Sequence, residues 1–237
     1  MKGLRIGRPA GDYNTVLDAR TARVMDQTVQ LLSDAGATIV CEDLPGMHVL
    51  AAKTAWPISA YEAVAHVMHT LNSRHPPVAL DRLVSQIASP HVRERFNPKI
   101  ANLMKLERPH HEAMEILRPR LQAQLATYFR EHRLDALIFP TTPFPAMAVP
   151  DDGADIVING KHVAHGFGYV IHNTVYQSAA GIPSLTVPAG LTSDGLPVGI
   201  SFDGPMGSDH RLLAIGLAFE TLRGPFPRPP EAASDTR

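Results

Sequence analysis

Apolar positions recur along this chain with two different periods, and the switches between them mark where elements begin and end. Leu4 to Gly7 is a short apolar run that predicts a strand, with Arg8-Pro9-Ala10-Gly11-Asp12 as its exit loop. Asp18 can cap a helix, its carboxylate accepting the free amide hydrogens of the first turn. Behind it Val24, Thr28, Leu31 and Ala35, together with Met25, Val29 and Leu32, keep helical spacing, and Gly36 supplies a left-handed stop. Thr38 to Cys41 reads as the next strand, closed by the turn Leu44-Pro45-Gly46. Strand, helix, strand with short connections predicts a parallel pair in an α/β sheet.

The middle of the chain is helical in pattern. Met47 to Asn72 predicts a helix interrupted around Trp56-Pro57, and Val78 to Ala88 predicts another. His91 to His132 predicts several pieces rather than one rod, because prolines at 98, 109 and 119 each remove a backbone donor. Leu134 to Phe139 is a buried-type strand feeding Pro140-Thr141-Thr142-Pro143-Phe144-Pro145. Residues 146–168 read as a long loop with turns at Asp151-Asp152-Gly153 and Asn159-Gly160. The second turn closes a small hairpin between Ile156-Val157-Ile158 and His162-Val163.

Two further apolar runs, Ser184 to Val187 and Pro197 to Phe202, are set off by glycine and proline punctuation. Gly181-Ile182-Pro183 ends what precedes them, Pro188-Ala189-Gly190 stops the first run, and Ser193-Asp194-Gly195 is a turn. Ser208 then caps a last helix whose stripe is Leu212, Ile215, Gly216, Phe219 and Leu222. The tail from Pro225 to Arg237 is proline-rich and polar, and is expected to be mobile. No fixed-period repeat is present.

Composition narrows the class. Of 237 residues 44% are apolar and 19% charged, the balance of an ordinary soluble globular protein. A net charge of −1 gives no electrostatic case for nucleic acid or an anionic membrane as partner. One cysteine, Cys41, excludes an intrachain disulfide and fits a reducing compartment. The first residues lack the apolar core of a secretory signal, and no apolar run approaches the roughly 20 residues that span a bilayer. The expectation is a cytoplasmic protein.

Candidate chemistry is sparse. Glu62, His66 and His69 share one helical face and could begin a metal site, but polar residues turned to water explain them better. His110 and His111 with Glu107 read as a solvated helix face in the same way. Ser208-Asp209-His210 has the residue types of a hydrolase triad as sequence neighbours, whereas a triad assembles from separate segments; capping by Ser208, with Asp209 at the positive end of the helix dipole, accounts for the pair. No G-x-S-x-G elbow occurs, and Gly166-Phe167-Gly168 lacks the third glycine of a dinucleotide fingerprint. Cys41, ending a strand, reads as an inert packed thiol. None of the five lysines (Lys2, Lys53, Lys99, Lys105, Lys161) falls in the apolar setting that would depress its pKa for use as a base.

The stretch from Asn173 to Asp209 carries a resemblance. G-I-P-S-L-T-V-P-A-G, then L-P-V-G-I-S-F, then G-S-D-H-R-L-L-A-I-G-L-A-F-E, resembles the carboxy-terminal signature of the amidase signature family, serine hydrolases that cleave carboxamides. Asp135-Ala136-Leu137-Ile138-Phe139-Pro140-Thr141-Thr142-Pro143 and the opening Leu4-Arg5-Ile6-Gly7-Arg8-Pro9, in matching order and spacing, are similar to further landmarks. The resemblance implies an α/β fold, a mixed β-sheet flanked by helices on both faces, spanning residues 1–224 as the carboxy-terminal half of an amidase domain, with 225–237 as a tail.

Family members work through a serine, a second serine in a cis peptide, and a lysine, near a Gly/Ser-rich loop that precedes the matched region. No such loop is present here. The resemblance therefore implies a chain without catalytic residues of its own, needing neither metal nor organic cofactor. Its partners would be a small amide substrate and either a missing amino-terminal half or further copies of itself. It implies that Thr141, Thr142 and Pro143, with Asn173 and Thr174, border the cleft as substrate-pocket walls; the first group also follows a strand at its carboxyl end, where crevices open in α/β sheets. The alternative for Thr142 and Thr174 is that they only satisfy backbone groups in loops. Tyr176, Gln177 and Ser178 stand where many members carry proline, phenylalanine and asparagine. With Phe202-Asp203-Gly204-Pro205, they look like the indoleacetamide and mandelamide hydrolase branch, which takes small aryl-substituted amides. The competing class is a non-catalytic truncated product or binding subunit that keeps part of the pocket.

Overall fold

Strand β1 (Arg5–Gly7) lies inside a mixed five-stranded sheet with β2 (Thr38–Val40), β3 (Ala136–Pro140), β6 (Ser184–Leu191) and β7 (Pro197–Asp203), in the order β2-β1-β3-β7-β6 with β3 at the centre. The computed structural model describes residues 1–14, 16–96, 102–148, 156–163 and 167–228. β1 pairs in parallel with β2 and with β3, while β7 runs antiparallel to both β3 and β6. A separate hairpin, β4 (Ile156–Ile158) and β5 (Lys161–Val163), turns at Asn159 and Gly160, both at positive φ, as the Asn-Gly pair predicts.

Alternation along the strands builds two cores. Ala136 and Ile138 of β3, with Ile200 and Phe202 of β7 and Val187 of β6, face helices α1 (Ala19–Asp34) and α9 (Asp209–Arg223). Leu137 and Phe139 face the other way, onto α2 (Met47–Asn72), α6 (Arg118–Glu131) and α8 (Val175–Ala180). The fold is thus α/β, helices on both faces of a mixed sheet. The short helices α3 (Leu80–Ser85), α4 (Pro90–Arg95) and α7 (Phe167–Val170) and the longer α5 (Leu103–Glu112) complete the described helices, apart from single turns.

Asp18 caps α1 as expected, its carboxylate accepting from the Arg20 amide, and Gly36 (φ 87°) turns the chain into β2. Elsewhere local chemistry gave way to packing. α2 runs through Pro57 without a break; the lost donor is one bond in a 26-residue helix pinned at Ala51, Thr54 and Val64 in the interior. From Leu103 to Glu131 the backbone stays helical, with a π-helical stretch at Ala113–Leu117 where Arg118 N–H reaches back to Ala113 O. Pro119 falls in the first turn of α6, where its missing N–H is dispensable, so it does not break the rod. Pro98 and the 151–153 turn lie outside the described residues, as do Lys99, Gly166 and residues 229–237 of the tail.

Three more expectations are corrected. β6 does not stop at Pro188 but continues to Leu191 through a bulge between Pro188 and Gly190, which an edge strand tolerates because its outer amides have no ladder partner. Cys41 is exposed rather than packed, since β2 is an edge strand whose pairing ends at Val40. Ser208 occupies the cap position of α9 without making the cap bond: its backbone (φ −90°, ψ 19°) is not extended, and its buried Oγ has no partner among the described residues. Asp209 does lie in the first turn of α9.

Candidate functional site

β1 and β3 are parallel neighbours whose chains leave the sheet separately, one towards α1 and the other into the Thr141–Pro145 segment, the kind of strand exit beside which ligands bind in α/β sheets. The structure brings the two expected wall segments together there. Asn173, fully buried, donates from Nδ2 to the Pro140 carbonyl at 2.8 Å, which places the helical turn His172–Thr174 beside the exit of β3. Pro143 is buried, and its carbonyl accepts from the Asp18 amide at 2.9 Å, so the same segment is tied to the start of α1. Burial pushes the Asp18 carboxyl up, but hydrogen bonds from Arg20 outweigh it and hold the group below its ordinary value.

The hydroxyls of Thr142 and Thr174 donate to carbonyls of their own segments, to Phe144 O and Ile171 O, each at 3.0 Å. That is the backbone-satisfying use weighed against a pocket role. Thr141 is different. Its Oγ1 lies 2.8 Å from Ser201 Oγ and 3.3 Å from Thr186 Oγ1, and Thr186 lies 3.1 Å from Ser201. Three hydroxyls thus form a triangle on the sheet face opposite the α1/α9 core, beside Gly199, where an added Cβ would meet the Thr186 methyl at 3.1 Å. Thr186 is exposed and Ser201 buried, so the triangle has an open and a closed side.

Next to this strip the interior is aromatic. The rings of Tyr13, Phe139 and Tyr176 meet at 5.2–5.8 Å, and His48 stacks on His172 at 4.4 Å while meeting Tyr13 edge-on at 4.6 Å. Tyr176 donates its hydroxyl to Asp203 Oδ2, and both side chains are fully buried. Burial raises the Asp203 carboxyl to about 7, with Ser184 and Tyr176 pulling back only part of that shift. Burial, with the Asp203 charge and Tyr13 beside it, drives the Tyr176 phenol well above its usual range.

Sequence reading missed Thr186, Ser201, the aromatic group and the Tyr176–Asp203 contact. The signal for the first two was present: Ser184 and Thr186 alternate with Leu185 and Val187, and Ser201 and Asp203 with Ile200 and Phe202. The histidine expectations fare unevenly. His66 and His69 are exposed, and no group of three His, Cys, Asp or Glu side chains among the described residues is placed to hold a metal. His110, however, is not on a solvated face: it stacks on Tyr61 at 4.4 Å with Nε2 3.3 Å from Glu62 Oε1, joining α5 to α2. Two surface grooves of about 380 and 580 Å³ flank α6 and are bordered by Tyr128 and Asp43 on one side and by Phe129 and Ile182 on the other; none of the expected wall residues borders either.

The profile of the amidase family matches residues 1–213, nearly the whole chain. The chain belongs to the amidase family. It is 39% identical over 220 residues to the indoleacetamide hydrolase of Agrobacterium vitis, covering 93% of this chain and 47% of that protein. It is 30% identical to the mandelamide hydrolase of Pseudomonas putida, with 91% and 43% covered. Among solved structures, an amidase superposes with a TM-score of 0.71 at 23% identity, covering 94% of this chain and 46% of that one. A bacterial aryl acylamidase of the amidase signature enzymes gives the same TM-score at 21% identity. The chain therefore spans about half the length of the relatives it matches, and its fold is that of the carboxy-terminal half of an amidase. No helix among the described residues is long and apolar enough to cross a membrane.

Proposed function

We propose that this chain is the carboxy-terminal portion of an amide hydrolase that converts a small aryl-substituted carboxamide to the carboxylic acid and ammonia. The amino-terminal portion of such an enzyme supplies the serine that attacks the carbonyl carbon. The C–N bond then breaks, ammonia leaves with a relayed proton, and water cleaves the acyl ester to release the acid. This chain supplies the far side of the sheet and one wall of the pocket: Thr141, Thr142, Pro143, Asn173 and Thr174. Residues 1–224 form that portion and 225–237 its tail, and the protein works in the cytoplasm. The observation that carries the reading is the bond from Asn173 to Pro140, which holds two segments distant in sequence at one strand exit. The likeness to indoleacetamide and mandelamide hydrolases supports an aryl substrate.

The test is ammonia release from indole-3-acetamide and mandelamide. The chain alone is expected to release none, and the chain mixed with the amino-terminal half of a related amidase is expected to release it. Activity of the chain alone would overturn the division of labour. No activity in the mixture, with both parts folded and associated, favours the competing reading of a binding subunit that keeps part of the pocket.

A further inference from the structure

Tyr176 and Asp203 are partners in the fold, joined by a buried hydrogen bond. They sit 27 residues apart on different elements, α8 and β7, with the phenol hydroxyl on the carboxyl. Tyr176 is three residues beyond Asn173, on the buried side of the same helical segment. Among the described residues, side-chain hydrogen bonds also tie the ends of that segment to the body, from Asn173 to Pro140 and from Gln122 Nε2 to the Ala180 carbonyl at 2.8 Å. Its middle is held by the Tyr176 ring, packed on Tyr13 and Phe139, and by the bond to Asp203. Asp203 lies opposite Ser184 in the β6–β7 register.

We propose that Tyr176 and Asp203 are positioning residues of the candidate pocket, their buried hydrogen bond clamping the Asn173–Thr174 wall against the strand exit at Pro140–Thr142. The proposal rests on the reading of those segments as pocket wall. The alternative for a buried acid is a plain core contact, which an apolar pair of the same volume would serve as well. A charged group in the interior is tolerated only when paired, so the clamp tightens or loosens with the state of one carboxyl. The groups that bear on Asp203 are Tyr176 from α8 and Ser184 from β6; Tyr13, from the turn Gly11–Asn14, and His48 of α2 lie behind Tyr176 with ring centroids at 5.6 and 6.1 Å. The carboxyl, raised to about 7 by burial, changes state near neutral pH.

Backbone hydrogen exchange on the full chain tests this, read at Asn173, Thr174 and Val175 at about pH 5 and about pH 9 and normalised to intrinsic rates. In the wild type these amides gain protection relative to Ile6 and Ile138 at the higher pH, because the Tyr176 hydroxyl donates more strongly to the carboxylate than to the neutral acid. Tyr176→Phe speeds their exchange about tenfold, as expected for one lost hydrogen bond to a buried acid, and leaves Ile6 and Ile138 in the central strands unchanged. Asp203→Asn still accepts from Tyr176 but cannot ionise, so it keeps the wall protected and abolishes the pH dependence. Three results would overturn the clamp: unchanged wall exchange in Tyr176→Phe, equal acceleration at every amide, or a pH dependence in Asp203→Asn as large as that of the wild type. If Tyr176→Phe fails to fold, Asp203→Asn decides alone. Ammonia release is read independently. An inactive mixture with a working clamp sinks only the amidase reading, and an active one whose wall ignores both substitutions sinks only the clamp.

Discussion

The Asp203 carboxyl is shifted far from its ordinary behaviour, and its effect on stability has a definite sign. The carboxyl titrates normally near 3.8 and is raised to about 7 in the fold, chiefly by burial. The folded protein therefore holds this proton more tightly than the unfolded chain. The stability it contributes is complete below about pH 4, declines as pH rises, and is lost above about pH 7. Thermal melting as a function of pH should show this decline in the wild type and a flatter profile in Asp203→Asn. Equal slopes would mean that Asp203 ionises in the fold as it does in water. Asn173 makes a second residue-scale prediction. Asn173→Ala removes the donor to Pro140 and leaves a buried carbonyl unpaired, so urea unfolding should report a loss of about 2 kcal/mol. A loss under a few tenths would show that Pro140 finds another donor.

Between elements, α9 packs closely on β6. A Cβ added at Gly216 would come within 2.3 Å of Leu185 Cδ2, so the absence of a side chain sets the distance between helix and strand. Gly216→Val should destabilise by about 2 kcal/mol through overpacking. Leu185→Ala in the same chain should recover part of the loss in chemical denaturation; no recovery would place the strain elsewhere. Contacts of this kind also show what could be read from sequence and what could not. β1, α1, β2, β3 and the β4–β5 hairpin follow from local period and punctuation, because Asp18, Gly36 and Asn159-Gly160 act within a few residues of themselves. The candidate site does not. Thr141, Thr186 and Ser201 meet only because β3, β7 and β6 pair in that order, and Tyr176 finds Asp203 only when α8 folds over the sheet. Scoring β6 and β7 as apolar runs hid the polar half of their alternation. Prolines misled for the opposite reason: Pro57 and Pro188 carry strong local signals, which a long packed helix and an unpaired strand edge override.

For the whole molecule the open question is where a half-length amidase would associate. Among the described residues the five-stranded sheet ends at β2 and β6, and both edges are blunted. β2 is three residues long, and β6 carries Pro188, which has no N–H to offer, and a bulge beside it. The polar face of β6, with Ser184 and Thr186 exposed, is also a poor template for a dry contact. Exposed apolar surface is more evident on α9, where Leu213 and Leu217, one turn apart, are 58% and 67% accessible. Self-association of the isolated chain should therefore run through α9 rather than through the sheet. Sedimentation velocity over a range of concentrations should show the wild type growing in mass, and Leu213→Lys/Leu217→Lys remaining near 25.7 kDa. A lysine at Thr186, on the β6 face, should leave the association unchanged when only α9 is involved. It should abolish binding of an amidase amino-terminal half if that half covers the hydroxyl strip. If Thr186→Lys alone prevents self-association and the α9 variant does not, the sheet is the adhesive surface, and its polar face is covered by another copy of this chain.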